Sequence, residues 1–301
     1  MHESVLLAES IELLNVRPDG VYVDCTFGRG GHTREILRNL GGQGRVLAID
    51  RDPTAIGASE EFRDDGRLEL VQDRFSRLEQ ILESRQLGEK IDGILMDLGV
   101  SSPQLDDAAR GFSFRFDGPL DMRMDPSVGT SAAQWIASAS ESEIRDCLWE
   151  LGEERHGRRI ARKIVECRSQ EPISTTLKLV AVIKRAVPGG YSRIHPATRT
   201  FQAIRLKVNS ELEELERVLR QAADNIRVRG RVVAVSFHSL EDRMVKRYFR
   251  NLVRGPDSLL PQPNVEKFRL LTRKPVRPQD AEVNQNPRAR SARLRVLERV
   301  A

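Results

Sequence analysis

A glycine-rich turn and a distant acidic residue are the parts of this sequence best suited to bind a ligand. Gly28, Gly30 and Gly31 follow a short apolar segment, and glycine allows positive φ and a close approach of the backbone to a ligand. Asp50 lies nineteen residues after Gly31, at the end of a second apolar segment. A carboxylate in that position can accept hydrogen bonds from both hydroxyls of a ribose. Together the two features predict a ligand that contains adenosine.

Absent motifs narrow the choice of adenosine ligand. The turn reads G-x-G-G-H instead of the G-x-G-x-x-G of dinucleotide sites, and neither Tyr-x-x-x-Lys nor a G-x-x-x-x-G-K-[ST] phosphate loop occurs. A nucleotide-dependent oxidoreductase is therefore disfavoured. The pattern Asp24-x-x-x-Gly28-x-Gly30 is closer to the first motif of S-adenosylmethionine-dependent methyltransferases. We expect S-adenosyl-L-methionine as the cofactor.

A second acid, Asp97, lies near the end of the apolar segment 91–98. In a doubly wound sheet this position faces the cofactor across the crevice. An acceptor that holds an exocyclic amine in line with a reactive methyl group lowers the barrier to transfer. Asp97 is therefore the candidate catalytic residue. Two alternatives stay open: Asp97 caps a turn or contacts the cofactor, because the Asn/Asp-Pro-Pro-aromatic tetrapeptide usual in amino-methyltransferases is absent.

Size and composition exclude several classes of protein. The 301 residues are more than one small core needs, so we expect one large domain with an insertion, or two domains. No apolar run approaches the ~20 residues of a membrane helix. The three cysteines form no CxxC motif, which is typical of a reducing, cytoplasmic environment. Cysteines and histidines have no metal-ligand spacing, so we expect no metal.

Positive charge is concentrated near one end of the chain. Residues 241–301 hold 15 Lys and Arg against 7 Asp and Glu, which leaves 34 against 37 in the first 240 residues. Such an asymmetry indicates a polyanionic partner, most simply a nucleic acid. A role in solubility alone remains an alternative.

Apolar segments separated by helical patterns predict an α/β fold. The first hundred residues alternate between the two, as in a doubly wound parallel sheet. Residues 101–206 contain mainly helical patterns, and the sheet resumes after a capping box, Ser210-x-x-Glu213, that opens an amphipathic helix. Both chain ends thus form the sheet, with a helical domain inserted between them. The predicted strands are 21–25, 45–49, 68–71, 91–98, 231–237, 268–272 and 292–297.

Long strings along nearly the whole chain resemble one family, the bacterial 16S rRNA (cytosine-N4)-methyltransferases of the MraW/RsmH type. They include TFGRGGH at 26–32, IDGILMDLGVSSPQLD at 91–106, DGPLDMRMD at 117–125 and SFHSLEDR at 236–243. Further matches lie at 47–53, 110–114, 152–155, 195–202, 208–212 and 286–291. Such strings are far more specific than a glycine turn.

The resemblance implies a Rossmann-like class I methyltransferase sheet with an inserted all-helical domain. It places the cofactor domain at 1–104 and 208–301 and the substrate-recognition domain at 105–207. It implies a cytoplasmic enzyme that methylates the N4 amine of a cytosine near the ribosomal P site, with 16S rRNA and the small ribosomal subunit as partners. It also implies that seven residues contact the cofactor: Gly30, Gly31, His32, Asp50, Phe75, Asp97 and Gln104.

Candidate substrate residues lie mainly in the middle of the chain. A cytosine in folded rRNA has to swing out before its amine can react, and aromatic and basic side chains can stack on bases and hold phosphates. The alternative for each is a role in anchoring a loop or in a solvated surface. The candidates are Phe112, Phe114, Arg123, Arg199 and His238, with a basic stripe formed by Arg155, Arg158, Arg159, Arg162 and Lys163.

A second hypothesis is an S-adenosylmethionine-gated RNA-binding or ribosome-assembly factor with little catalysis. The missing tetrapeptide and the basic end of the chain motivate it. The sequence leaves the oligomeric state open, a homodimer included.

Overall fold

The protein folds into two compact units, which are described separately. The computed structural model describes residues 4–57, 59–187, 194–254 and 267–301. The first unit comprises Met1–Gly99 and Leu212–Ala301, and the second comprises Val100–Glu211. Both ends of the chain therefore contribute to the first unit. The assignment of cofactor and substrate roles to separate domains stays a prediction.

A seven-stranded sheet forms the centre of the first unit. The strand order is β3-β2-β1-β4-β5-β7-β6, in which β1 to β5 run parallel and β7 runs antiparallel to both of its neighbours. The order reverses between β1 and β4, which is where doubly wound sheets open a ligand crevice at the carboxyl ends of the strands. The predicted Rossmann-like fold class is confirmed. The strands are β1 Val21–Asp24, β2 Arg45–Asp50, β3 Leu68–Gln72, β4 Ile91–Asp97, β5 Ile226–Ser236, β6 Phe268–Leu270 and β7 Arg293–Arg299.

Thirteen α-helices occur among the described residues. Those of the second unit follow one another without an intervening strand in the part of it that is described. The helices associated with the sheet are α1 Leu7–Leu14, α2 Gly31–Asn39, α3 Pro53–Gly57, α4 Leu78–Glu83, α11 Glu211–Asn225, α12 Ser239–Arg254 and α13 Asp280–Gln285. The helices of the second unit are α5 Ser102–Asp106, α6 Ala132–Ser138, α7 Glu141–Glu150, α8 Gly157–Arg168, α9 Thr176–Ala186 and α10 Thr198–Asn209.

Apolar side chains cover both faces of the sheet because successive residues of a strand point to opposite sides. Val23 and Ile94 pack on the face that also buries residues of α4, α11 and α12, whereas Tyr22 and Leu95 pack on the opposite face with α1 and α2. The apolar stripe predicted for α11 is buried in the first of these clusters. A separate core of 22 buried residues fills the helical unit.

Some predicted elements differ from the structure. Ser210 has left-handed backbone angles, φ 51° and ψ 38°, and ends α10 with its N–H bonded to carbonyls of the last turn. The predicted capping box is wrong, because Ser210 is the single residue between α10 and α11 and lacks the extended backbone typical of an N-cap. The sequence predicts a helix from about 75 to 87, and the structure begins this segment with a 3-10 turn, Phe75–Arg77, before α4. The sequence predicts no helix at α1, α5, α10 or α13. The Pro, Asn and Gln content of 255–286 predicts a surface loop, of which 255–266 lie outside the described residues.

No helix in the described ranges combines the length and the apolar character needed to span a bilayer.

A buried acid holds together the amino ends of two central strands. Asp92, the second residue of β4, is 4% exposed, and its Oδ2 accepts a hydrogen bond of 2.9 Å from the Val21 N–H at the start of β1. The partly exposed guanidinium groups of Arg17 and Arg227 neutralise its charge. The register of β1 against β4, whose other ends carry the candidate site, is thereby fixed.

We expect Asp92→Ala to lower the free energy of unfolding by about 1–3 kcal/mol, because it leaves the Val21 N–H without an acceptor. Water can hydrate the partly exposed guanidinium groups of Arg17 and Arg227 in the variant. The loss of free energy of unfolding therefore stays below that caused by breaking a fully buried ion pair. Denaturant unfolding measures it. Glu69→Ala, which breaks the exposed ion pair with Arg85, is the control and should cost less than ~1 kcal/mol. Equal losses in both variants would contradict a special role for Asp92.

Candidate cofactor and substrate site

The turn between β1 and α2 brings the backbone close to the crevice. Gly28 and Gly30 have φ values of +56° and +69°, which favour glycine. A Cβ atom on Gly30 would lie 2.5 Å from the ring of Phe62, and one on Gly31 would overlap the Ser4 hydroxyl. Phe27 and Phe62 pack against Gly30 as an edge-to-face pair whose ring centroids are 5.5 Å apart. No other residue type fits Gly30 without strain.

Asp24 connects this turn to the end of β4. Its side chain is fully buried and accepts hydrogen bonds from the Thr26 N–H at 3.0 Å and from the Thr33 hydroxyl at 2.7 Å. The Thr26 hydroxyl also lies within hydrogen-bond distance of Asp24 and accepts a 2.7 Å bond from the backbone N–H of Asp97. Three residues thus tie the carboxyl ends of β1 and β4 together.

Asp50 ends β2 with both carboxylate oxygens already engaged. Oδ2 accepts the Gly28 N–H at 2.7 Å, and Oδ1 accepts the Asp52 N–H at 2.8 Å. Burial raises the pKa of Asp50 to about 6, although these two hydrogen bonds act in the opposite direction. A carboxylate oxygen has a second lone pair, so Asp50 can still accept hydrogen bonds from a ligand while the protein fixes its orientation.

Asp97 and His32 face each other across the crevice between β1 and β4. The distance from His32 Nδ1 to Asp97 Oδ2 is 3.8 Å, and 24% of the Asp97 side chain is exposed whereas His32 is buried. Burial raises the pKa of Asp97 well above its usual value, and the charges of Asp24 and Glu241 raise it further. Burial lowers the pKa of His32, against the charge of Asp24. His32 is therefore neutral at physiological pH.

Two buried polar atoms at this place have no hydrogen-bond partner among the described residues, Nε2 of His32 and Oδ1 of Asp97. Buried polar groups are normally paired, so such atoms mark a position for a bound molecule. The glycine turn and the Asp50 carboxylate lie at the same edge of the sheet. Phe75, partly buried against the core, follows β3 by three residues at that edge. This combination of carboxylates, exposed backbone and one aromatic ring suits a cationic, adenosine-containing cofactor such as S-adenosylmethionine.

His238 lies beyond β5, the strand next to β4. Its Nε2 is 3.0 Å from Glu241 Oε1, and Glu241 Oε2 accepts the Phe237 N–H at 2.9 Å. The Glu241 N–H in turn donates to His238 Nδ1 at 3.4 Å. The imidazole is therefore held against the start of α12 by Glu241.

The sequence matches one protein family along nearly its whole length. Residues 1–300 match the model of the MraW methylase family. The chain is 50% identical over 305 residues to Ribosomal RNA small subunit methyltransferase H of Pseudoalteromonas atlantica, which covers 99% of this chain and 98% of that protein. It is 52% identical over 305 residues to the protein of the same name from Thiobacillus denitrificans, with coverage of 100% and 97%.

The chain belongs to the MraW methylase family. This membership confirms the resemblance noted in the sequence and the predicted enzyme class, an S-adenosylmethionine-dependent methylase.

Solved structures with low sequence identity also align with the MraW methylase chain. An rRNA methylase from Streptococcus thermophilus aligns at a TM-score of 0.43 and 14% identity, over 98% of this chain and 94% of that one. An S-adenosylmethionine-dependent O-methyltransferase from Thermotoga maritima aligns at 0.42 and 11% identity, over 100% and 68%.

The sequence does not predict the roles of three residues that organise the candidate site: Asp24 as the buried centre of the turn, Thr26 as the bridge to β4, and Glu241 as the partner of His238. Asp24 was noted only as part of a motif. The signal that could have found Asp24 and Glu241 is an acid placed directly at the end of a buried strand or at the start of a helix. Nothing in the sequence distinguishes Thr26 from an ordinary turn residue.

Gln104 lies in α5 of the helical unit, and its side chain is buried. Its Oε1 accepts the Ser101 N–H at 2.9 Å and so completes the capping box at the start of α5. The predicted contact of Gln104 with the cofactor stays a prediction.

The two candidate phenylalanines of the helical unit are engaged within it. Phe112 is buried in the core, with the Arg110 guanidinium 5.7 Å from its ring centroid. Phe114 stacks on His195 at 4.6 Å and meets Phe201 edge to face at 4.9 Å. Phe116, by contrast, is 67% exposed. Binding of bases by Phe112 and Phe114 stays a prediction, and Phe116 is the ring of this stretch that is open to a partner.

The two candidate arginines of the helical unit both have partners within it. Arg123 makes a two-point ion pair with Asp121, at 2.8 Å from Nε and 2.7 Å from Nη2. Arg199 is partly buried and donates to the Glu153 carbonyl at 2.9 Å. Their predicted contacts with substrate stay predictions. Across the described ranges, no three His, Cys, Asp or Glu side chains come together in a group that could hold a metal ion.

We expect Gly30→Ala to destabilise the protein by about 1–3 kcal/mol, because the new Cβ combines a positive φ with contact against Phe62. Gly42→Ala is the control, since a Cβ there meets no atom within 4 Å and φ is not positive. Denaturant unfolding of both variants measures the difference. A Gly30 variant as stable as the control would show that the turn can relax without cost.

Asp97→Asn should raise the Tm of the cofactor-free protein by a few degrees at pH 7. The pKa of Asp97 is higher in the folded than in the unfolded protein, so its ionisation opposes folding at pH above the unfolded value. The penalty is absent below that value and grows as pH rises through the folded pKa. The gain in Tm should therefore vanish near pH 4, and a gain that does not depend on pH would contradict the electrostatic cause.

Proposed function

We propose that this methylase transfers a methyl group from S-adenosylmethionine to the N4 amine of a cytosine in 16S rRNA, near the ribosomal P site. The observation that carries the proposal is the Asp97 carboxylate, whose buried Oδ1 has no partner among the described residues and lies beside the glycine turn at the switch point of the sheet. Relatives about 50% identical over their full length are named for small-subunit rRNA methylation. The cytosine and its position follow from the family resemblance.

Residues of the first unit would hold the cofactor. Asp50 would accept hydrogen bonds from the ribose hydroxyls, and Phe75 would form a wall for the adenine. Gly30 and Gly31 would admit the methionine part close to the backbone, next to His32. Neutral His32 adds no positive charge beside a cationic ligand. The family resemblance also assigns Gln104 to the cofactor contacts.

When bound, S-adenosylmethionine would supply an electrophilic methyl group for in-line attack, and the leaving group would be the neutral thioether S-adenosylhomocysteine. The difficulty lies with the acceptor, since the lone pair of the cytosine amine is delocalised into the ring. The free oxygen of Asp97 would accept a hydrogen bond from that amine and orient it toward the methyl group. Because its pKa is raised, the same carboxylate is also basic enough to receive the proton that the amine loses.

The remaining candidates would serve the RNA. His238, held by Glu241 at the neighbouring strand, would line the cytosine pocket. Phe112, Phe114, Arg123 and Arg199 would contact the rRNA. The substrate implies a cytoplasmic enzyme that works on the small ribosomal subunit.

Transfer of a labelled methyl group to small subunits from a strain that lacks this modification tests the proposal. We expect label on the N4 atom of one cytosine. Asp97→Ala should lower the rate by about 10²–10³-fold while cofactor binding is retained. Asp50→Ala should instead raise the Kd for S-adenosylmethionine by about tenfold or more, since it removes hydrogen bonds to the ribose.

Asp64→Ala, an exposed acid on the same unit, is the matched control and should leave both quantities unchanged. Absence of label from every ribosomal substrate, with cofactor and RNA binding intact, would favour the assembly-factor hypothesis. An unchanged rate in Asp97→Ala would remove Asp97 from the chemistry.

A further inference from the structure

A groove on the helical unit is lined almost entirely by positive side chains. It lies along the outer side of α8 and the end of α9 and has a volume of about 410 Å³. We call it the basic groove, and its charged lining residues are Arg158, Arg159, Arg162, Lys163, Glu166 and Arg185.

The amphipathic pattern of α8 creates this surface. Ile160, Ala161 and Ile164 face the core of the unit, so the basic residues between them point outward. Arg158 and Arg162 are four positions apart, and so are Arg159 and Lys163. Side chains with that spacing are neighbours on a helix surface, about 5–6 Å apart at Cβ. The stripe noted in the sequence therefore becomes two adjacent rows, and Arg185 adds a fifth cation from α9.

The charges of the basic groove are not balanced within the described part of the protein. Its one acid, Glu166, forms an ion pair of 2.7 Å with Lys163. The four arginines of the lining make no ion pair with any described residue, and three of them are on the exposed side of α8. Like charges four residues apart repel each other. An extended anion would relieve this repulsion, whereas a single small anion would neutralise only part of it.

We propose that the basic groove binds the phosphodiester backbone of the rRNA substrate. The inference rests on the proposed function, because that function supplies an RNA partner, and it adds a binding surface outside the crevice of the first unit. Two rows of cations match a chain of regularly repeated negative charges. Guanidinium groups can also hold a phosphate through two parallel hydrogen bonds. The groove would provide affinity that does not depend on sequence.

The test compares two variants with the same loss of charge. The groove variant carries Arg158→Gln, Arg162→Gln and Arg185→Gln. The control variant carries Arg63→Gln, Lys90→Gln and Arg217→Gln, three exposed cations of the first unit. Affinity for unmethylated 16S rRNA is measured over a salt series, together with Tm, cofactor affinity and methyl transfer to small subunits.

We expect the groove variant to bind the rRNA at least about tenfold more weakly. The slope of log K against log salt concentration should become less negative by about 2, because each of three lost phosphate contacts contributes roughly 0.7. The control should change affinity less than about twofold. Tm, cofactor affinity and the rate at saturating subunits should stay as in the wild type, with a higher KM for the groove variant.

Equal losses in both variants would reduce the effect to net charge and overturn the proposal. Unchanged rRNA affinity in the groove variant would also overturn it. So would a loss seen with assembled subunits but not with free rRNA, since that result indicates a ribosomal protein as the partner. A wild-type protein that transfers no label, while the groove variant still loses rRNA affinity, would refute the proposed function and leave the groove in place.

Discussion

A carboxylate without access to solvent, Asp24, is the constraint on which the candidate site depends. Taking a charge out of water is costly unless the protein provides hydrogen bonds, and here Thr26 and Thr33 provide them. Because Thr26 also accepts the N–H of Asp97, the same arrangement sets the distance between the ends of β1 and β4. The charge of Asp24 also acts on its neighbours, since it adds to the burial that raises the pKa of Asp97 and opposes the burial that lowers the pKa of His32. One buried group thus controls the geometry and the electrostatics of the crevice.

The two acids that flank this centre differ in what the protein leaves free. Asp50 is oriented by two backbone N–H groups, so it resembles a fixed acceptor that a ligand can use without rearrangement. Asp97 keeps a buried oxygen with no partner in the described ranges, and burial raises its pKa well above the usual value. The two aspartates end β2 and β4, the strands on either side of β1. Asp50 is therefore suited to bind a ligand, and Asp97 is suited to form a new hydrogen bond during a reaction.

The sequence predicts the sheet well because its strands are short apolar runs that end in acids or glycines, as β2 and β4 do. It predicts the glycine turn because positive φ restricts the residue type at Gly30. It does not predict that Thr26 bridges two strands, since that contact joins residues 71 positions apart. It also failed at Ser210, where a capping pattern lies between two helices that adjoin so closely that a left-handed residue is required. Contacts decided by tertiary packing have no local pattern to read.

The position of β7 in the sheet has a consequence for synthesis of the protein. β7 pairs with β5 on one side and with β6 on the other, although it follows both in the chain. During translation, the helical unit Val100–Glu211 is complete before the second half of the sheet has emerged. A nascent chain can therefore bury the helical core early, whereas β5 and β6 present open edges until the last strand arrives. In that interval the incomplete sheet is the part of the molecule most prone to misassembly, and its open edges are where a chaperone would bind.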